Sequence, residues 1–105
     1  MGVSHEHEHR KKLYKIREDL NKRVKDVRDH FAKVEKIKVE ALKRTEEMRR
    51  SAERELAKLE EDIAKSDLVA ETKRTLASDI ATLKKEIEDR AAELRQRISG
   101  IVVPP

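Results

Sequence analysis

The sequence predicts an all-α protein: a long antiparallel helical hairpin of the coiled-coil class that associates into a homo-oligomeric helical bundle. Composition is the first observation, because 46% of the 105 residues are charged and 36% are apolar, a balance typical of long surface-rich helices. The second is that the 97 residues between Gly2 and Gly100 contain no Gly or Pro, the two strongest helix breakers. Third, apolar residues recur in steps of three and four, which is helical spacing.

The first helix is predicted over about residues 8–64, and residues 1–7 are expected to form a flexible His- and Glu-rich N-terminus. Its apolar stripe has a mean step between that of a heptad repeat, about 3.5 residues, and that of a straight helix, about 3.6. We therefore expect a nearly straight helix. The stripe consists of Leu13, Ile16, Leu20, Val24, Val27, Phe31, Val34, Ile37, Ala41, Thr45, Met48, Ala52, Leu56, Leu59 and Ile63.

The second helix is predicted over about residues 67–99. Its stripe is rotated by about 100° from the continuation of the first stripe, which corresponds to a slip of one residue. Near this slip, Ser66 or Asp67 is a candidate N-cap, and Glu71 suits the first turn of a helix. The second stripe consists of Val69, Thr72, Leu76, Ile80, Leu83, Ile87, Ala91, Leu94 and Ile98.

The slip fits either a hairpin that turns near residues 65–67 or one continuous rod with local over-winding. The hairpin is favoured because it gives each helix a partner surface within the chain, although the turn lacks the Gly that often ends a helix. Folded back, helix two would cover about residues 34–64 and leave the stripe from Leu13 to Phe31 without a neighbour. We therefore expect a homodimer or a higher oligomer, joined along both stripes.

The last six residues, 100–105, differ in character from the helices. Gly100 suits the C′ position that follows a helix, and the segment Ile101, Val102, Val103, Pro104, Pro105 is β-branched and then fixed by proline, hence extended. This tail is a candidate partner-binding segment that could add a strand to another protein's sheet. The simpler alternative is a tail that frays or folds onto the helices.

Catalytic and metal-binding patterns are weak. The sequence has no Cys, Gly-rich phosphate loop or HExxH pair, and its carboxylates alternate with Lys and Arg on helix faces that stay solvated. We expect no enzymatic activity and no cofactor. His5, His7 and His9 are weak metal candidates, since two of them lie at i and i+4 on a helix, but a terminal segment without a specified fourth ligand predicts only adventitious binding.

Charge is unevenly distributed along the chain. Residues 10–50 contain 16 Lys and Arg and 8 Asp and Glu, whereas residues 51–105 contain 10 and 12. The basic excess permits phosphate contacts, which would be strongly salt-dependent. The alternative is a solvated face with pairing between residues i and i+4. Candidate phosphate contacts are Arg10, Lys11, Lys12, Lys15, Arg17, Lys22, Arg23, Lys25 and Arg28.

These patterns lead to one functional hypothesis and one alternative. The first is a non-enzymatic structural or interaction protein, a coiled-coil scaffold or adaptor that binds itself and another protein. The alternative is a sequence-nonspecific nucleic-acid-associated accessory protein that uses the basic half of helix one. The chain shows neither a signal peptide nor a membrane-spanning run, so a cytoplasmic location is expected. With Asn21 and Gln96 as its only amide side chains, a heat-adapted source is also expected.

Overall fold

The computed structural model describes residues 2–105, with side chains from His5 onward. It contains helix α1, Gly2–Lys65, and helix α2, Ala70–Ser99, and no strand within the described residues. The predicted all-α hairpin is confirmed, and the continuous rod is wrong. Neither helix includes a segment with the length and apolar character needed to cross a lipid bilayer, for the residues described.

Helix α1 begins at Gly2 rather than at the predicted position near residue 8. Its first turns contain no Pro and no Gly after Gly2, so nothing in the sequence breaks the helix there. An ion pair also supports these turns, because Arg10 Nη2 donates to Glu6 Oε1 at 2.9 Å across one helical turn. From Gly2 onward, the predicted N-terminal segment therefore lies within α1.

The turn between the helices lies where the stripes change phase, but its capping differs from the prediction. Ser66 does not cap α2: its Oγ donates to the Ile63 carbonyl at 2.7 Å, as its backbone N–H does at 3.1 Å, so it ends α1. Helix α2 starts three residues after position 67, with the extended Val69 at its N-cap and no side-chain capping bond. Its first backbone bond runs from the Lys73 N–H to the Val69 carbonyl at 3.0 Å.

Helix α2 ends at Ser99 and is followed by Gly100, as predicted, although without a left-handed residue. Gly100 keeps right-handed angles, φ −72° and ψ −13°, and its N–H donates to the Gln96 carbonyl at 3.0 Å. The next N–H, of Ile101, closes a tighter bond to Ile98 at 3.1 Å. Residues 101–105 then continue without regular secondary structure.

The chain forms two compact units. The hairpin unit comprises Ile37–Val102, and its helices run antiparallel, since Glu46 pairs with Arg95 while Glu60, nearer the turn, pairs with Lys84. Its core consists of Leu56, Ile80, Ala91 and Ile98, with Thr45 also buried. The Thr45 hydroxyl donates to the Ala41 carbonyl at 2.8 Å, which satisfies this polar group inside the seam.

The N-terminal unit comprises α1 up to Lys36 together with Val103–Pro105. Within it, the three tail residues and the α1 residues Arg28, Phe31, Ala32 and Glu35 line one open groove. Val103 is half-buried. The tail residues of this unit therefore lie along α1, as the simpler alternative for the tail predicts.

Candidate functional site

The main candidate site is the exposed apolar face of α1 in the N-terminal unit. We call it the N-terminal stripe and define it as Leu13, Ile16, Leu20, Val24 and Val27. Steps of three and four place these side chains on one face of the helix. Leu13 and Ile16 are 65% and 64% exposed, and Val24, the least exposed, still reaches 40%. Such a row of accessible aliphatic side chains on one helix face is characteristic of an association surface.

The tail reaches the C-terminal end of the N-terminal stripe. Pro105 lines a second shallow groove with Val24, Val27 and Phe31, and Phe31 is half-buried whereas the stripe residues before it are exposed. The other candidate tail residues, Ile101 and Val102, belong to the hairpin unit and are 47% and 86% exposed. There, Lys38 Nζ donates to the Ile101 carbonyl oxygen at 2.7 Å.

The predicted oligomer seam divides into groups of different exposure. Leu13, Ile16, Leu20, Val24, Val27 and Val34 are exposed in the N-terminal unit. In the hairpin unit, Leu56, Ile80 and Ile98 are buried, and Ile63, Leu76 and Ile87 are half-buried. Leu59, Leu83 and Leu94 keep 46%, 42% and 38% of their surface exposed. Packing between the two helices therefore covers only part of the stripe within the hairpin.

The candidate phosphate contacts place exposed positive charge on the same helical segment as the N-terminal stripe. Among the side chains described before Ile37, the one ion pair is Arg10 with Glu6. Residues 1–36 contain 11 Lys and Arg and 7 Asp and Glu, whereas residues 37–105 contain 15 of each. The whole positive excess thus lies in the part of the sequence that carries the stripe. Lys11, Lys12, Lys15, Arg17, Lys22, Arg23, Lys25 and Arg28 are all exposed and outside ion pairs in the described structure.

A charged cluster around Arg49 joins the two helices of the hairpin and was not anticipated from the sequence. Arg49, 25% exposed, pairs with Glu46 and Glu53 on its own helix and with Glu88 on α2, the last at 3.5 Å. The first two spacings, i−3 and i+4, are readable from the sequence. The third contact depends on the register between the helices, for which the sequence carried no signal.

The cluster holds fixed charges. The hydrogen bond from Arg49 lowers the pKa of the Glu46 carboxyl, partly offset by desolvation, and the charges of Arg49, Arg50 and Arg95 lower it further. The hydrogen bond to Glu46 raises the pKa of Arg49. Both groups therefore stay ionised at neutral pH, and the arrangement is suited to fixing the helix register rather than to exchanging protons.

The histidines lie on exposed parts of α1. His5 and His9 are one helical turn apart, whereas His7 lies about 200° around the helix from His5, so the three imidazoles do not converge. No grouping of three His, Asp or Glu side chains able to hold a metal ion occurs among the described residues. His30 Nδ1 donates to the Asp26 carbonyl at 2.8 Å, as befits a polar residue beside the stripe.

Comparison with known proteins gives no assignment for this helical hairpin. The sequence matches no protein-family model, and searches of curated proteins and of solved structures return no significant match.

Proposed function

We propose that this protein is a non-enzymatic interaction protein, a helical scaffold or adaptor that self-associates through the N-terminal stripe and presents its charged faces to another protein. The exposure of Leu13, Ile16 and Leu20, each above half of its surface, carries this proposal. A second copy supplies a surface of matching apolar character, and its approach removes this area from water, which is the main driving force for association.

The basic residues that flank the stripe on the helix, Lys12, Arg17, Arg23 and Arg28, support the same role. Lys and Arg side chains beside an apolar stripe cover it with their methylene stems while their charged ends stay in water. This arrangement lets the chain remain dispersed before it associates. Across an interface, charges at the edge set the rate and specificity of encounter more than the affinity.

The stripe is tested with a pair of substitutions at matched exposure. Ile16 and Tyr14 are both 64% exposed, but Tyr14 lies off the stripe, about 160° around the helix from Ile16. Ile16→Glu should lower the mass of the assembly in sedimentation equilibrium at micromolar concentration, because it places a charge inside the apolar contact. Tyr14→Glu should leave that mass unchanged. Equal effects of the two substitutions, or none, would contradict a role for the stripe in self-association.

Binding of a nucleic-acid backbone is the second candidate, favoured by the eight exposed Lys and Arg residues outside ion pairs between Lys11 and Arg28. Such contacts release counterions, so affinity should fall steeply between about 50 mM and 200 mM salt. A mobility-shift assay with mixed-sequence duplex DNA checks this candidate. Absence of a shift at the lower salt concentration would remove it, and binding that is insensitive to salt would contradict phosphate contacts.

A further inference from the structure

The hairpin unit has a second apolar surface, on the edge of its helix pair. We call it the apolar rim and define it as Met48, Leu59, Leu83 and Leu94, which are 41%, 46%, 42% and 38% exposed. On each helix the two rim residues are eleven positions apart, close to three full turns, so they share one face. The antiparallel pairing of the helices therefore brings four large apolar side chains to a common edge.

The opposite edge of the hairpin is charged. At about 100° per residue, Met48 and Leu59 lie about 60° and 40° to one side of the buried Thr45, whereas Arg49 and Glu60 lie about as far to the other side. On α2, Leu83 and Leu94 are separated from Lys84 and Arg95 in the same way about the buried Ile80. Because the two helices are antiparallel, side chains that are rotated in the same sense from the buried faces of α1 and α2 lie on the same edge of the pair. The described ion pairs between the helices, Arg49–Glu88, Glu60–Lys84 and Glu46–Arg95, all lie opposite the apolar rim.

The apolar rim is symmetric about a single level of the hairpin. Met48 and Leu59 are equidistant from the point between residues 53 and 54, and Leu83 and Leu94 are equidistant from the point between residues 88 and 89. The ion pairs Glu60–Lys84 and Glu46–Arg95 join the helices on either side of these points, so the two points lie at about the same height. A two-fold axis through that level, perpendicular to the helices and in the plane of the rim, would place each rim residue of one copy opposite a rim residue of the other. Such self-complementary contacts are those of an isologous dimer.

Four of the charges that flank the apolar rim differ in sign across the same level. On the rim side, Asp62 and Asp79 lie in the half near the turn and are outside ion pairs in the described structure. Arg44 and Arg97 lie in the half near the helix ends, where each also pairs with a carboxylate of its own helix, Glu40 at 3.7 Å and Glu93 at 3.6 Å.

Asp62 on α1 lies within one residue of the position that mirrors Arg44 about this level, and on α2 the same holds for Asp79 and Arg97. Glu86 and Arg90 lie on either side of the level and pair with each other at 3.0 Å. A second copy that runs antiparallel, with its turn over the helix ends of the first, would bring Asp62 and Asp79 towards Arg44 and Arg97. A copy placed with turn over turn would bring like charges together at these positions.

The hairpin by itself buries few side chains. Its buried apolar residues are Leu56, Ile80, Ala91 and Ile98. Among the described residues, no large side chain has less than 2% of its surface exposed. A unit of this size gains more complete burial from another layer of helices. The apolar rim, which is continuous with this core, is the edge on which that layer fits.

From these observations we infer that the apolar rim docks a second copy of the hairpin, with the turn of one copy over the helix ends of the other, to form a four-helix bundle. The inference rests on the proposed self-association but assigns it a separate surface. In this bundle α1 packs against the partner's α1 and α2 against the partner's α2. The inter-helix ion pairs of each copy stay on the outer edges.

The first test compares two leucines in the full chain carrying Ile16→Glu, which removes the contribution of the N-terminal stripe. Leu83 is on the apolar rim and Leu42 lies towards the charged edge, at 42% and 39% exposure. The Ile16→Glu chain should sediment as a dimer. Adding Leu83→Glu should raise its dissociation constant at least about tenfold, and adding Leu42→Glu should change it by less than about threefold. Circular dichroism verifies that both variants remain helical.

The second test fixes the orientation by exchanging charges on α2. Both chains carry Ile16→Glu, which removes the contribution of the N-terminal stripe; one adds Asp79→Arg and the other adds Arg97→Glu. For the antiparallel arrangement each chain alone should associate at least about tenfold more weakly, and an equimolar mixture should restore the dimer, because every facing pair is again opposite in sign. Strengthened self-association of the first chain would instead establish the turn-over-turn arrangement and overturn the inference.

The outcomes separate this inference from the proposed function. If the Ile16→Glu chain is already a monomer, the rim dimer is absent while the role of the N-terminal stripe stands. If Ile16→Glu does not lower the mass of the wild-type assembly, but Leu83→Glu does, the stripe proposal fails and the rim inference stands. Equal weakening by Leu83→Glu and Leu42→Glu would overturn the rim as the interface.

Discussion

Arg49 and Glu46 each pair with three charged groups, more than any other side chain in the described structure. Arg49 joins Glu46, Glu53 and Glu88 while keeping 25% of its side chain exposed. A planar guanidinium group suits such a site because its donors are fixed in direction. The energetic contribution of each ion pair near water is small. We therefore infer that the cluster mainly selects one register between α1 and α2 over the neighbouring registers.

The lowered pKa of Glu46 predicts a loss of stability in acid. Its carboxyl titrates below its usual value of 4.5 because Arg49 donates a hydrogen bond to the ionised form. The unfolded chain therefore binds the proton more readily. The stabilisation is complete above pH 4.5 and is lost as the pH falls through the lower pKa of the folded state.

Chemical denaturation at neutral pH and in acid, compared between wild type and Glu46→Gln, checks this prediction. The amide should destabilise the protein at neutral pH and remove part of the acid-induced loss. Glu47→Gln is the control, since Glu47 is exposed and has no ion pair in the described structure. The same response from both variants would show that the effect belongs to net charge and not to the Arg49 cluster.

At the scale of elements, helix α2 depends on its buried stripe. Ile80 is 7% exposed, so Ile80→Asp places an unpaired charge in the seam and should abolish cooperative unfolding or lower its midpoint strongly. Glu61 is 64% exposed in a pair with Lys65, and Glu61→Ala should stay within about 0.5 kcal/mol of wild type. Thermal unfolding followed by circular dichroism measures both. Similar losses in the two variants would mean that the stripe is not the core.

The hairpin was predictable because the angular phase of the apolar stripe changes between Ile63 and Val69. A turn that separates two helices accounts for such a change. The ends of the helices were less predictable. Ser66 has the chemistry to cap α2, but its hydroxyl bonds to the Ile63 carbonyl at 2.7 Å, so it completes α1 instead. At the N-terminus, the absence of a breaker after Gly2 was a better guide than the unusual His-Glu composition.

Exposure of the N-terminal stripe was also predictable, since two helices of unequal length cannot cover each other completely. The charged cluster and the apolar rim were not. Both depend on which residue of α2 lies opposite a given residue of α1, and a change of one residue in the turn would alter every such pairing. Periodicity alone placed Leu59 and Leu83 in the same seam as Leu56 and Ile80, although they have very different exposure.

For the molecule as a whole, charge and apolar exposure follow the same partition of the sequence. Residues 37–105 are balanced, with 15 Lys and Arg and 15 Asp and Glu, and residues 1–36 carry the excess, with 11 and 7. The exposed N-terminal stripe lies in that basic part. Salt separates its two proposed uses, because apolar association persists or strengthens as salt increases, whereas contacts with phosphates weaken.

Sedimentation equilibrium of the unmodified chain at micromolar concentration tests the central claim, that this protein works by association. The account predicts a mass above that of a dimer of the 12.3 kDa chain, with a dimer for Ile16→Glu and no change from wild type for Tyr14→Glu. A folded, helical monomer of 12.3 kDa at that concentration would contradict it, since the N-terminal stripe and the apolar rim would then both remain in contact with water.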